Sequence, residues 1–223
     1  MARQQYQDRL ADLRADVLYM SELVADRLRR ALDAIERKDA ELAREVIEGD
    51  EEINELYLDL EGDCVDLLAL QQPVAGDLRF ITASFKILTD LERIADLAVN
   101  LGDYAQEAER DVFPDVDVQR IGTETLSMLD AAMTAYEEED PERCWAVAER
   151  DEEVDAMCEA ASEAVVRDLI AATELTEDEV EEMMPEVRRL LLTIRDLERV
   201  GDHAVNVAAR TLYMVENDEE LLE

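Results

Sequence analysis

From Tyr6 to Arg37 apolar side chains return at Leu10, Leu13, Val17, Met20, Val24, Leu28, Ala31, Leu32 and Ile35. Steps of three and four keep one stripe on one side of an α-helix, so this stretch predicts a single long amphipathic helix. Asp39 then reads as an N-cap. Leu42, Val46, Ile53, Leu56, Leu60 and Leu67 carry the stripe along a second helix that runs to QQPVAGD, where Pro73 and Gly76 break it. A third helix is expected from near Asp77 to about Arg110, followed by the proline-containing connection DVFPD.

The plan then starts again. A helix is predicted from about Asp115 to Glu138, and Asp140-Pro141 supplies an N-cap and first-turn proline for an Ala-rich helix running to about Ala172. Thr176 to Glu179 has the T-x-x-E capping-box pattern, Pro185 either kinks the last helix or opens its main segment, and the tail NDEELLE is expected to fray. Within the third helix, Asp90 to Asn100 reads DLERIADLAVN; Asp196 to Asn206 reads DLERVGDHAVN, identical at eight of eleven positions. Asp140 follows Asp39 by 101 places, whereas the two eleven-residue segments are 106 apart, so the second copy holds five extra residues between its second and third helices. The expected fold is therefore all-α: two tandem three-helix bundles, residues 1–112 and 113–223, related by a pseudo-twofold.

Wound as a helix, the repeated segment puts Leu91, Ile94, Ala95, Ala98 and Leu101 on one side and Glu92, Arg93, Asp96, Asn100 and Asp103 on the other. The copy points Leu197, Val200, Gly201, Ala204 and Val207 inward and Glu198, Arg199, Asp202 and Asn206 outward. If the second and third helices of each repeat are antiparallel, residues equidistant from Pro73 lie level, which sets Asn54 opposite Glu92 and Asp50 opposite Asp96. About the Thr176 turn, Asp155 meets Glu198 and Asp151 meets Asp202. Carboxylates one helical turn apart on two facing helices can surround a hard cation, and otherwise need Arg93, Arg199 or ambient cations as compensation. Acidity alone carries little weight here: with 59 acids in 223 residues, about 15 acidic i,i+4 pairs arise by chance on helices. Repetition and register carry the inference.

Composition narrows the function classes. A formal net charge of -37, with Lys38 and Lys86 the only lysines, opposes binding to nucleic-acid phosphates and anionic membranes. A hydrophobic content of 48% argues for a folded body under that acid coat, and a salt-rich cytoplasm, where counterions screen self-repulsion, is the economical setting. Cys64, Cys144 and Cys158 form no CxxC pair and fit reduced core thiols of a cytosolic protein. No apolar run approaches the ~18 residues of a membrane span, and MARQQYQDRL has no apolar signal core. With His203 as the single histidine, no Ser-His-Asp, zinc-type or Cys-His constellation can be built, and no Gly-rich phosphate loop is present, so an enzyme and an organic cofactor are not expected. His203 stands where the first copy has Leu97, which favours packing or hydrogen bonding over ligation.

The stretch QQPVAGDLRFITASFKILTDLERIADLAVN, with TIRDLERVGDHAVNVA and the preceding D-E-E runs, resembles the PhoU family of accessory and regulatory proteins of phosphate uptake. The resemblance covers essentially the whole chain, although the first helix and residues 110 to 130 match only in pattern. It implies a six-helix fold and a non-enzymatic, cytoplasmic regulator that damps phosphate import and starvation signalling. Such a regulator contacts the ATPase subunit of the phosphate ABC transporter and, where one exists, a sensor kinase; a homodimer is compatible with it. Proteins of the family can carry multinuclear metal clusters, of iron or of another divalent cation such as Mg, Mn, Zn or Ca, on paired E/D-xxx-D motifs. By position this assigns Asp50, Glu92 and Asp96 to one site and Asp151, Asp155, Glu198 and Asp202 to the other, with Asn100 and Asn206 adding amide oxygens. Asn54 stands where the second repeat has Asp155, so the first site is expected to be weaker or differently occupied. The competing function is a stand-alone helical adaptor or stress protein that uses the fold without a transporter. A carboxylate-bridged metalloenzyme lacks its histidines.

Overall fold

The caps set the helix starts. Asp39 accepts from the backbone N–H of Glu41 and Leu42, each at 3.0 Å, and Asp140 accepts from Glu142 at 3.0 Å and Arg143 at 3.2 Å. Thr176 and Glu179 close the full capping box. In the computed structural model, which describes residues 2–70, 73–107, 116–171, 176–218 and 220–222, the helices are α1 (Ala2–Arg37), α2 (Ala40–Glu48), α3 (Asp50–Leu70), α4 (Ala75–Gln106), α5 (Val118–Glu138), α6 (Pro141–Ala171) and α7 (Glu177–Glu216). Among the described residues no strand occurs.

The architecture is the predicted pair of three-helix bundles. In the first repeat α1, α2 with α3, and α4 pack together; α5, α6 and α7 do so in the second. The repeats meet chiefly where α4 lies on α7, and α1 also packs on α5. One continuous apolar core joins the halves, from Val17, Met20, Leu91 and Ile94 on one side to Met128, Leu197 and Val200 on the other. Gly122 leaves room for Leu32 of α1 against α5: a Cβ there would stand 2.3 Å from Leu32 Cδ2. The boundary expected at 112/113 falls outside the described residues.

Two details differ from the sequence reading. The second helix of the first repeat is interrupted at Gly49, giving α2 and α3, while its counterpart α6 runs unbroken. The apolar stripe passes through Gly49 without a change of phase, so periodicity held no sign of the break. The C-terminal tail does not fray throughout: Glu220–Leu222 forms a 3₁₀ turn, and Leu221 packs against the core. Pro185 lies inside α7 without ending it. The cysteines are free and buried, as expected, and burial first of all pushes each thiol up to about 12.

Candidate metal centre and the clasp between the repeats

The eleven-residue segment faces two ways. Its first Asp and last Asn point across the pseudo-twofold. Asn100 Nδ2 donates to Asp196 Oδ2 at 3.3 Å, and Asn206 Nδ2 donates to Asp90 Oδ1 at 3.2 Å. Each repeat thus clasps the other with the same pair of residues. Unequal neighbours complete the two clasps. Tyr104 O–H donates to Asp196 at 2.9 Å, whereas on the other side His203 Nδ1 lies 2.9 Å from Asp90 Oδ1. Burial first, then its bond to Asp196, raises the Tyr104 hydroxyl to about 12, which keeps it a donor. His203 therefore has the hydrogen-bonding role expected of it. Asn100 and Asn206, expected to add amide oxygens to the metal sites, spend their amide N–H groups on this clasp.

The middle of the segment faces α3 in one repeat and α6 in the other, and there the carboxylates gather. In the second repeat Asp151, Asp155, Glu198 and Asp202 are close enough to perturb one another. Asp151 is pushed up to about 6, by burial first and then by Asp155, Asp202 and Glu198. Glu198 is raised by burial, Asp155 and Asp202; Asp202 is raised by burial and Asp155, with His203 and Arg199 opposing. Asp155, Glu198 and Asp202 are exposed and Asp151 is half-buried. One oxygen of that aspartate, Oδ1, is shut from solvent with no hydrogen-bond partner. It lies over Gly201, where a Cβ would stand 3.0 Å from Oδ1 and 3.8 Å from Met128 Cε.

The first repeat brings together Asp50, Glu92 and Asp96 but balances them differently. Burial, then Asp96, raises Glu92, with Arg93 opposing and Asp50 adding to the rise. Arg93 pairs with Asp96 at 3.3 Å and with Glu92 at 3.5 Å. Asn54, in place of the fourth carboxylate, donates its amide to Asp50 Oδ2 at 2.6 Å. Beneath Asp50 lies Arg27, a cation that sequence reasoning passed over because it borders the apolar stripe of α1. The residue is 8% exposed, and its Nη1 stands 3.8 Å from Asp50 Oδ1; neither atom has a hydrogen-bond partner. Gly49 makes the room, since a Cβ there would be 2.8 Å from Arg27 Nη2.

Among the described residues, no three His, Cys, Asp or Glu side chains already converge as metal ligands do. The donor sets nevertheless differ in how well they suit a divalent cation. Four hard carboxylate oxygens with one buried, unpartnered Oδ1 fit such an ion in the second repeat. In the first, a guanidinium already faces the equivalent oxygen and an amide N–H donates to its neighbour, so the residues fit a cation poorly.

Comparison with known proteins covers the same two segments. The PhoU domain family matches residues 17–105 and 118–211. A phosphate-specific transport system accessory protein PhoU homolog of Pseudomonas aeruginosa is 34% identical over 215 residues, 95% of this chain and 86% of its own length. A homolog of the same description from Methanothermobacter thermautotrophicus is 31% identical over 213 residues, 94% of each chain. The crystal structure of PhoU from Pseudomonas aeruginosa superposes with a TM-score of 0.85 at 31% identity, over 96% of this chain and all (100%) of that one. The phosphate transport system regulatory protein PhoU of Streptococcus pneumoniae gives 0.85 at 27%, over 96% and 98%.

Proposed function

Because this chain belongs to the PhoU family, we propose that it is a non-enzymatic accessory regulator of phosphate-specific transport, acting in the cytoplasm by contact with the transporter's ATPase subunit and its signalling partners. The observation that carries the proposal is the match of both repeats, over nearly the full chain, to proteins described as phosphate-specific transport accessory proteins. Among the described residues no helix is long and apolar enough to cross a membrane, which suits a regulator held at a membrane by its partner. The hairpin tips support contact with a protein. Val65 and Val166, Val74 and Val180, and Leu78 and Met184 occupy matching places in the two repeats and are exposed, which offers a protein partner apolar contacts on an otherwise acidic surface. Disrupting the gene should leave phosphate uptake and the starvation response unrestrained, and purified chain should retain the transporter ATPase in a pull-down. Unchanged uptake together with no retention would return the chain to the stand-alone adaptor reading.

The same reading gives the second repeat a divalent cation, held by Asp151, Asp155, Glu198 and Asp202. A bound cation would neutralise their mutual repulsion and tie α6 to α7. Elemental analysis of protein purified without chelator tests this, with Glu198→Ala expected to lose the metal. The acidic surface is expected to need counterions: a melting temperature that does not rise from dilute to molar KCl would remove the salt-rich setting.

A further inference from the structure

The two acid sites occupy equivalent places, but what lies beneath them has been exchanged. At the spacing of 101 that relates Asp50 to Asp151, Arg27 corresponds to Met128 and Gly49 to Arg150. Arg27 reaches under Asp50 through the space Gly49 leaves. Met128 holds the matching place under Asp151, with its Cε beside Gly201. Arg150 turns away and pairs with Glu124 on α5 at 2.9 Å. The first repeat therefore has a cation built into its chain, and the second has a thioether that cannot offset charge.

We propose that the Arg27 guanidinium is the resident counter-cation of the first repeat, so that only the second repeat takes a divalent metal ion, and that the residue at position 27 or 128 decides which site is open. Three observations converge on it. Arg27 is buried with Nη1 unpartnered and directed at Asp50 Oδ1. Gly49, at the one break in an otherwise helical pair α2–α3, is the residue that admits the side chain. Asn54 donates to the remaining Asp50 oxygen, a bond that a metal-chelating carboxylate could not supply. A fixed guanidinium and a divalent ion compete for the same carboxylate oxygens, and the covalently tethered one is always present.

The inference rests on the metal reading of the second repeat, and Mn2+ titration of chelator-treated full-length protein, followed by calorimetry and by electron paramagnetic resonance, separates the two. Wild type should bind Mn2+ in a manner abolished by Asp151→Asn and unaltered by Asp50→Asn. Arg27→Met should gain a second class of sites that disappears on adding Asp50→Asn, while Arg27→Lys gains none. Should Arg27→Met fail to fold by circular dichroism, Met128→Arg combined with Arg150→Gly supplies the reciprocal test and should weaken Mn2+ binding in the second repeat by roughly tenfold or more. Equal loss of wild-type binding from Asp50→Asn and Asp151→Asn would overturn the proposal, as would a folded Arg27→Met with no new sites or a folded Met128→Arg/Arg150→Gly double variant with unchanged affinity. Wild type that binds no Mn2+ would instead overturn the metal reading of the second repeat. A gain in Arg27→Met would then still uphold the role of Arg27.

Discussion

The two repeats share their helix plan, their caps and most of an eleven-residue segment, yet the charge of their carboxylate faces is balanced differently. In the first, positive charge comes from the chain itself, as Arg27 below Asp50 and Arg93 beside Glu92 and Asp96. In the second, Asp151 gathers three further acids around a buried oxygen, and Arg199 moderates only Asp202 among them. Equal sequence motifs therefore do not imply equal sites. The visible difference is the residue one layer below, Arg27 or Met128, on a helix outside the motif.

The largest expected effect tests whether Arg27 is a counter-ion rather than a spacer. Arg27→Met in metal-free buffer should cost about 3 kcal/mol by urea unfolding, the low end for breaking a buried pair because Asp50 keeps some contact with water. Adding Asp50→Asn should recover most of it. Met128→Leu, at the corresponding place, should cost under about 1.5 kcal/mol; comparable costs for the two single changes would erase the contrast.

The clasps should differ next. Asp196 is 2% exposed and accepts from Asn100 and Tyr104, while Asp90 is 14% exposed and faces Asn206 and His203. Asp196→Ala should cost about 2 kcal/mol by leaving the part-buried Asn100 and Tyr104 donors unpaired, and Asp90→Ala clearly less. Thermal unfolding of the two variants side by side checks the order.

Acidity separates the sites further. Between the ordinary aspartate value of 3.8 and about 6, Asp151 holds more proton in the folded chain than in the unfolded one. Its contribution therefore makes stability fall as pH rises through that window, and the loss is complete above it. Asp151→Asn should thus stabilise metal-free protein by about 1–2 kcal/mol at pH 7, an amount discounted for partial solvent screening, and by nothing below pH 4. A gain that persisted at low pH would assign it to something other than charge.

The smallest effect concerns Gly201, which stands where the first repeat has Ala95. Gly201→Ala adds helix propensity worth about 1 kcal/mol but crowds Asp151 Oδ1. Stability should hardly move while Mn2+ affinity falls. An unchanged affinity would show that the carboxylate has freedom to shift.

Much of this was legible from the chain. The apolar period located the long helices but not the break at Gly49, the caps at Asp39, Asp140 and Thr176 are where side-chain chemistry placed them, and antiparallel register brought Asp151, Asp155, Glu198 and Asp202 together. The clasp escaped because a helical wheel separates apolar from polar but does not say which polar residues meet solvent and which meet another helix. Asp90 and Asn206 were both in view as repeated residues; their repetition signalled symmetry contact as much as ligation. Arg27 escaped for a related reason, since a charged residue beside the stripe looks solvated until a glycine on the neighbouring helix lets it in. The alignment of Gly49 with Arg150 was the available clue.

The reciprocal Asp90–Asn206 and Asp196–Asn100 bonds are the interface of an isologous dimer written into one polypeptide. Two identical half-chains joined this way would have to carry the same residue at both symmetry-related places, arginine twice or methionine twice. Fusion in tandem lifts that constraint. One half can carry its own guanidinium as counter-ion, while the other is left free to respond to the cations around it.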